Sequence, residues 1–530
     1  AETATFGVPV TANDGISINN SITYSGDLIS STSGTSNFRA GVNAGNSIQS
    51  GGNYNTVIGD EAGTAITTGD ENVAVGYAAL STNTTGTGNV ALGKDALKTN
   101  LDGVNNVAAG DSALELNTGS NNTAIGDKAL TANTVGSHST AVGKGALDAQ
   151  NPTTATNMYN VAVGSDAGGA VTTGTQNTLV GSLAGDALTT GGLNVAVGYG
   201  ALTADDVGSQ TVAIGRNALA AQNYATATNS LNTAVGYESG LSVTTGIANT
   251  LIGTQAGDAI TDADYNVAVG NSALSTNQLG SKSIAIGHSA LFTQNPTTAT
   301  DMFNVGIGHA AGISVTTGTF NTLIGGLAGD ALTTGQYNVA LGYNALTGED
   351  TGSRNTAIGY EALEDLNFDG DGYNTAVGFL AGNKVSTGTN NTLIGGLAGD
   401  ALTAAFENTA VGESALGSDT LGRRTVAIGS GALQTQNFTT ATNSYNVAMG
   451  YDAGVLITTG TQNTLIGSLS GDSLTTGQDN VALGYAALSS DDVGNHSTAI
   501  GHGALFSQNY ATSTDSQNTA VGYNAGNAVT

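Results

Sequence analysis

Apolar and polar positions alternate along this chain in one short phrase that keeps returning. Its form is Asn, then Thr or Val, then Ala, then Ile or Val, then Gly, as in Asn122-Thr123-Ala124-Ile125-Gly126 and Asn194-Val195-Ala196-Val197-Gly198. Tolerant versions occur 27 times between Asn55 and Gly522. Positions two and four are β-branched or apolar and position three is small, a period-two alternation that predicts a short β-strand. The closing Gly suits a bend that needs positive φ or close backbone approach. Turn signals follow, such as Thr189-Thr190-Gly191 and Asp205-Asp206-Val207-Gly208, and helices punctuated by Gly this often would be poor. Each coil is expected to hold two short strands and two turns.

The phrase glycines are mostly 17 residues apart. From Gly143 onward every fourth interval is 21, except for 19 between Gly359 and Gly378, which gives a 72-residue unit above the single coil. Such periods predict a solenoid. The expected fold is all-β: a repetitive parallel β-roll or β-solenoid of about 27 coils over residues 53–530, with residues 1–52 as an N-terminal cap or junction carrying strand-like runs at 5–10 and 16–24. Coils stacked at ~4.8 Å make a rod on the order of 130 Å long.

Side-chain volumes keep the same phase. The fourth residue after the phrase glycine runs Gly168, Gly185, Leu202, Leu219, then Gly240, Gly257, Leu274, Leu291. The second coil of each unit replaces the central Ala by Leu179, Leu251, Leu323, Leu393 or Leu465. Gly and Leu trading volume implies that neighbouring coils compensate each other in one packed layer. Asn opens the phrase in 22 of 27 coils, which predicts a structural hydrogen-bonded ladder along the rod. Apolar residues emerge on both faces of the strand. One face fills the roll and the other needs a partner, so several chains are expected to associate along the axis.

Composition narrows the field. The 530 residues include 79 Gly but only 3 Pro, and charged residues are 10%, far from the usual quarter of a globular chain. Without Pro or a three-residue period this is not collagen, and the recurring Val, Ile and Leu argue against simple disorder. Net charge is -29 and no basic patch stands out, so no nucleic acid partner is expected. The preferred reading is a soluble, self-repelling surface, with cation binding as the alternative. Cysteine is absent, which removes disulfides, thiolate metal sites and a Cys nucleophile. No apolar run approaches the ~20 residues that span a bilayer, so no membrane insertion is expected in this segment. The chain begins Ala1-Glu2-Thr3 without Met, as though processed; a removed signal peptide and simple Met removal both fit.

Asn-Thr-Ala-Ile-Gly followed by Ala-Leu, as at Asn122–Gly126 with Ala129-Leu130, is similar to the head repeats of trimeric autotransporter adhesins, the YadA-like left-handed parallel β-roll. It equally resembles repeat arrays of bacterial and phage tail-fibre-like proteins, which often precede a cleaved chaperone domain. The resemblance covers residues 53–530 and implies a homotrimer, extracellular or virion display, and attachment to a host surface receptor, glycan or matrix. The coils here are longer than the compact family repeat, and no heptad stalk or membrane-barrel anchor is visible. The end at Ala528-Val529-Thr530 falls inside a coil whose earlier copies continue to Thr-Thr-Gly, so a cut chain or a junction with another subunit is expected.

The inserted loops are the candidate sites, because function concentrates on excursions from a rigid scaffold. Tyr224, Phe438 and Tyr510 occupy matching loop positions where other copies have Pro; stacking on a sugar and packing against a neighbour are the two readings, the second preferred. The deviant loop Asn367-Phe368-Asp369-Gly370-Asp371-Gly372 resembles the start of a calcium loop through Asp369 and Asp371, but an EF-hand would place Glu where Leu380 stands, and a plain turn is preferred. Beyond that calcium possibility no cofactor is expected. Asp186, Asp258, Asp330, Asp400 and Asp472 share one phase and read as a solvated acidic stripe. No catalytic constellation appears: the five His fall in no metal-binding spacing, and Asp205-Asp206 and Asp491-Asp492 lie in turns where neighbours point apart. The leading expectation is a non-enzymatic adhesive fibre segment at a cell surface. A phage tail or capsid fibre shaft and a self-assembling extracellular filament are the alternatives, with a polysaccharide-active β-helix enzyme or an ice-binding rod behind them.

Overall fold

A computed structural model describes residues 33–530; the strand-like runs expected at 5–10 and 16–24 lie outside them. Among the described residues there is no helix, and a single 28-stranded parallel sheet runs the length of the molecule. Each strand is three residues long and pairs phrase on phrase, for example Thr250↔Val267, Leu251↔Ala268 and Ile252↔Val269. The architecture is therefore a β-solenoid of about 28 coils. The extra coil is Phe38–Ala40, which pairs with Thr56–Ile58 inside the segment expected to be a cap.

The coil differs from the expected two strands. One three-residue strand forms in each coil, and ten coils add a two-residue strand; these join in five pairs between successive coils, such as Gly136–Ser137 with Thr156–Asn157. The rest of the circuit turns through left-handed residues. In one coil these are Tyr265 (φ 58°), Ser272 (φ 55°) and Leu274 (φ 52°). Left-handed backbone interrupts a strand, yet its N–H groups still point along the rod. Leu274 N donates to Ala290 O at 3.1 Å, and Ser272 N to Thr254 O at 3.0 Å. The backbone is thus satisfied coil to coil without a second continuous sheet.

Inside, the central residue of nearly every strand, usually Ala or Leu, and the Ala or Ser three residues after nearly every phrase glycine are buried. The exchange between Gly and Leu is steric. A Cβ on Gly185 would lie 2.8 Å from Leu188 Cδ1 and 2.9 Å from Leu179 Cδ2, and one on Gly168 would lie 2.5 Å from Leu179 Cδ1. Coils with Leu at that position, all but the Leu363 coil, instead bury a polar residue seven after the glycine, such as Asp205, Gln222, Asn277 or Gln294.

The Asn column forms the expected ladder. Asn266 N donates to Asn249 Oδ1 at 2.9 Å, and Asn249 Nδ2 donates to Ala263 O at 2.8 Å. The same pair of bonds recurs at Asn72, Asn194, Asn338 and Asn408.

Candidate functional site

The inserted loops leave the rod in every fourth coil, where Ser139, Thr211, Ser283, Thr425 or Ser497 replaces the ladder Asn. These hydroxyl side chains are too short to reach the next coil alone. A buried Gln completes the ladder. Gln222 Oε1 accepts from Asn232 Nδ2 at 2.9 Å while its amide donates to Thr211 Oγ1 at 3.0 Å and to Asp205 Oδ2 at 2.7 Å. Gln150, Gln294, Gln436 and Gln508 reach the following Asn in the same way. The shortened 19-residue spacing proves the rule, for there Leu366 replaces Gln and Asn355 remains in the ladder.

Tyr224 and Phe438 do not face solvent. Each is only 5% exposed, so neither ring offers a face to a sugar, and the ligand-binding reading of these two is corrected. The Tyr224 phenol donates to Gly246 O at 2.9 Å and accepts from Asn232 Nδ2 at 3.2 Å; burial pushes its pKa up. Tyr510 is half-buried and accepts from Asn518 Nδ2 at 3.0 Å. The loops use two interchangeable fillings. Pro152 and Pro296 occur with Met158 and Met302 six residues on, whereas Tyr224, Phe438 and Tyr510 occur with Ser230, Ser444 and Ser516. A large ring replaces a Met, so the aromatic residue is packing material. The exposed part of each loop is its Thr and Ala tip, such as Thr439-Thr440-Ala441.

Asp369 and Asp371 are committed elsewhere. Thr351 Oγ1 donates to Asp369 Oδ1 at 2.6 Å, and Arg354 forms an ion pair with Asp371. Among the described residues no three His, Asp or Glu side chains cluster to hold a metal. The Asp186 series is half-buried rather than fully solvated, and Ser275 and Ser489 donate to Asp258 and Asp472 at 2.5 and 2.6 Å.

Besides Asp95, which pairs with Lys94 and Lys98, four carboxyl groups are completely enclosed: Asp205, Glu349, Asp419 and Asp491. They stand where Asn277 stands in another copy. Asp205 Oδ1 accepts the Gly208 N–H at 2.9 Å, and Asp419 and Asp491 cap Gly422 and Gly494 alike. Burial pushes all four pKa values up from the ordinary carboxylate value, opposed by the hydrogen bonds from Gln amides or backbone N–H groups. A raised acid binds more protons folded than unfolded. Its contribution to stability is complete below the ordinary carboxylate pKa near ~4 and is lost as pH rises through the folded value. Asp258, Asp400 and Asp472 add with the same sign. The denaturation midpoint is therefore expected to rise as the pH is lowered from 7 toward mildly acidic values. Asp205→Asn should raise the midpoint at pH 7 and flatten that dependence, because Asn277 shows that an amide caps the same turn, accepting from Gly280 N at 2.9 Å.

The outer face of the sheet is a continuous surface along the rod. From Thr56–Ile58 to Thr519–Val521 every outward strand residue is Thr, Val, Ile, Leu, Ala or Met, and none is charged. Many are exposed, including Leu92, Ile125, Ile252, Ile286, Leu341 and Met449. Two columns border this face, one just before the ladder Asn and one just after the phrase Gly. They hold 14 of the 17 tyrosines, all exposed. Rings stack along the columns, as in Phe303–Phe320–Tyr337 with centroids 5.2 and 5.1 Å apart, closed by Lys282 over Phe303 and Arg354 over Tyr337. Sequence reasoning found the unpartnered apolar face but missed its tyrosine borders; the signal was the fixed position of Tyr beside the phrase. In comparisons with known proteins, the chain matches no protein-family model and no curated sequence.

Proposed function

We propose that this chain is a rod segment of a non-enzymatic extracellular fibre, displayed on a cell or virion surface, whose copies join side by side and whose length carries adhesive contacts to a host receptor, glycan or matrix. The observation that carries this reading is the uncharged strand face of Val, Ile, Leu and Thr, unbroken by charge over 27 coils in a chain of net charge -29. A soluble monomer's largest apolar patch is roughly 300–600 Å², and this face runs the length of the rod. Tyrosine borders suit the rim of such a contact, since amphipathic rings are enriched at protein interfaces. Three copies are the arrangement that the repeats resemble. Repetition then supplies reach and multivalency rather than a single pocket.

Sedimentation and electron microscopy of the native particle test it. The expected particle is a straight rod on the order of 130 Å for this segment, with the mass of three chains. Ile252→Lys, Ile286→Lys and Ile324→Lys combined should release single chains with an unchanged circular dichroism spectrum, because these side chains lie outside the roll. A native particle of one-chain mass would end the association reading.

A further inference from the structure

Tyr343 and Tyr360 follow the phrase glycines Gly342 and Gly359 in successive coils, 17 residues apart. Their rings stack with centroids 5.7 Å apart and planes 19° from parallel. Phe379 of the next coil covers the other side of Tyr360 at 5.5 Å. Gly326 in the coil before has no side chain, so nothing of that kind covers the outer face of Tyr343. The two rings are 49% and 44% exposed. Among the described residues every other ring stack includes a Phe or a His, so this is the one place where two phenols face each other. The chain has neither Cys nor Trp, which leaves exposed phenols as its most readily oxidised rings. Glu361 directly follows Tyr360, and its carboxylate pushes the Tyr360 phenol pKa up, so a proton acceptor adjoins the ring as it gives up an electron.

We propose that Tyr343 and Tyr360 form an oxidative cross-linking site, at which a peroxidase-type oxidant using hydrogen peroxide joins the two rings as an intrachain dityrosine. Each phenol loses one electron and one proton. The two phenoxyl radicals couple through ring carbons ortho to the oxygens, and the displaced ring hydrogens return to the oxygens on rearomatisation. One peroxide accepts the two electrons and two protons and becomes two waters. The product ties one coil to the next across the sheet, closing a 17-residue loop in a chain that has no disulfides, and such a tie restricts the unfolded state. The site lies within one chain, so it does not depend on the fibre reading.

The test treats an equal mixture of isotopically light and heavy full-length chains with peroxidase and hydrogen peroxide. Dityrosine fluorescence is recorded and the digest is mapped by mass spectrometry. The expected main product is a peptide joining Tyr343 to Tyr360, lighter by two hydrogens, found only as light–light and heavy–heavy pairs. Tyr343→Phe and Tyr360→Phe keep the ring stack and should each abolish that peptide. The oxidised wild type should also unfold at a higher temperature than oxidised Tyr360→Phe. Mixed light–heavy peptides as the main product, cross-links chiefly at other tyrosines, or fluorescence unchanged in Tyr360→Phe would each overturn the assignment.

Discussion

Gly253→Ala breaks the stack at its coil. Gly253 has φ +135°, and a Cβ there would sit 2.5 Å from Gly270 O and 2.6 Å from Gly270 C. Both atoms are backbone and cannot swing away. Gly270 has the same conformation (φ +136°) and the same relation to Gly287, so the phrase glycines form a file in which each backbone touches the next. Backbone strain of this kind alone costs roughly 1–3 kcal/mol, and the clash adds to it, for an expected loss of about 3 kcal/mol or more. Coils exchange stability only with their neighbours, so guanidinium unfolding is expected to split into two transitions and hydrogen exchange to accelerate around residues 250–290. Gly396→Ala is the control. Nothing lies within 4 Å of its Cβ position, and its effect should stay within about 0.5 kcal/mol.

That file of glycines explains why so much of the fold was legible. Each coil meets the same close approach, so the same residue returns at the same interval, and period and architecture follow. The missing second strand was not legible. Left-handed backbone falls on Tyr265, Lys282, Phe303 and Arg354 alike, because the coil-to-coil hydrogen bonds impose it whatever the side chain. The first coil was missed because Arg39 stands where Ala is usual, although Asn37 and Gly41 keep the ends of the phrase and Asn55 N donates to Asn37 Oδ1 at 2.8 Å. The loop aromatics failed for a different reason. Tyr224 beside polar neighbours looks presented to solvent, and only Ser230, small where Met158 and Met302 are large, marks the space it fills. Asp205 was hidden by its neighbour. Asp205-Asp206 reads as a polar turn, but the first of the pair occupies the interior position seven after Gly198 and caps Gly208 N.

Asn249→Ala should cost nearly as much as the glycine change, through hydrogen bonds rather than contact. Asn249 Oδ1 accepts the Asn266 N–H at 2.9 Å, and Asn249 Nδ2 donates to Ala263 O at 2.8 Å. Both partners belong to the next coil, and the ladder there is buried. Alanine leaves a backbone donor and a backbone acceptor enclosed without these partners, each costing about 1–3 kcal/mol, so the expected loss is roughly 2–5 kcal/mol. Asn249→Ser separates this account from mere loss of volume. Serine stands in the ladder at Ser139 and Ser283, but only where Gln150 and Gln294 extend their amides to the next Asn, accepting from Asn160 and Asn304 at 2.9 and 3.0 Å. The Asn249 coil carries Ile260 at the corresponding position. The hydroxyl introduced by Asn249→Ser would find no such help, and that variant should unfold nearly as easily as the alanine one. Gln222→Ala, in a coil that already has Thr211, should produce a comparable loss while leaving Asn249 untouched. Urea unfolding of the three variants decides the point. If Asn249→Ser were as stable as wild type while Asn249→Ala was not, one short hydroxyl would suffice in the ladder, and the requirement for an amide that reaches both partners would be overturned.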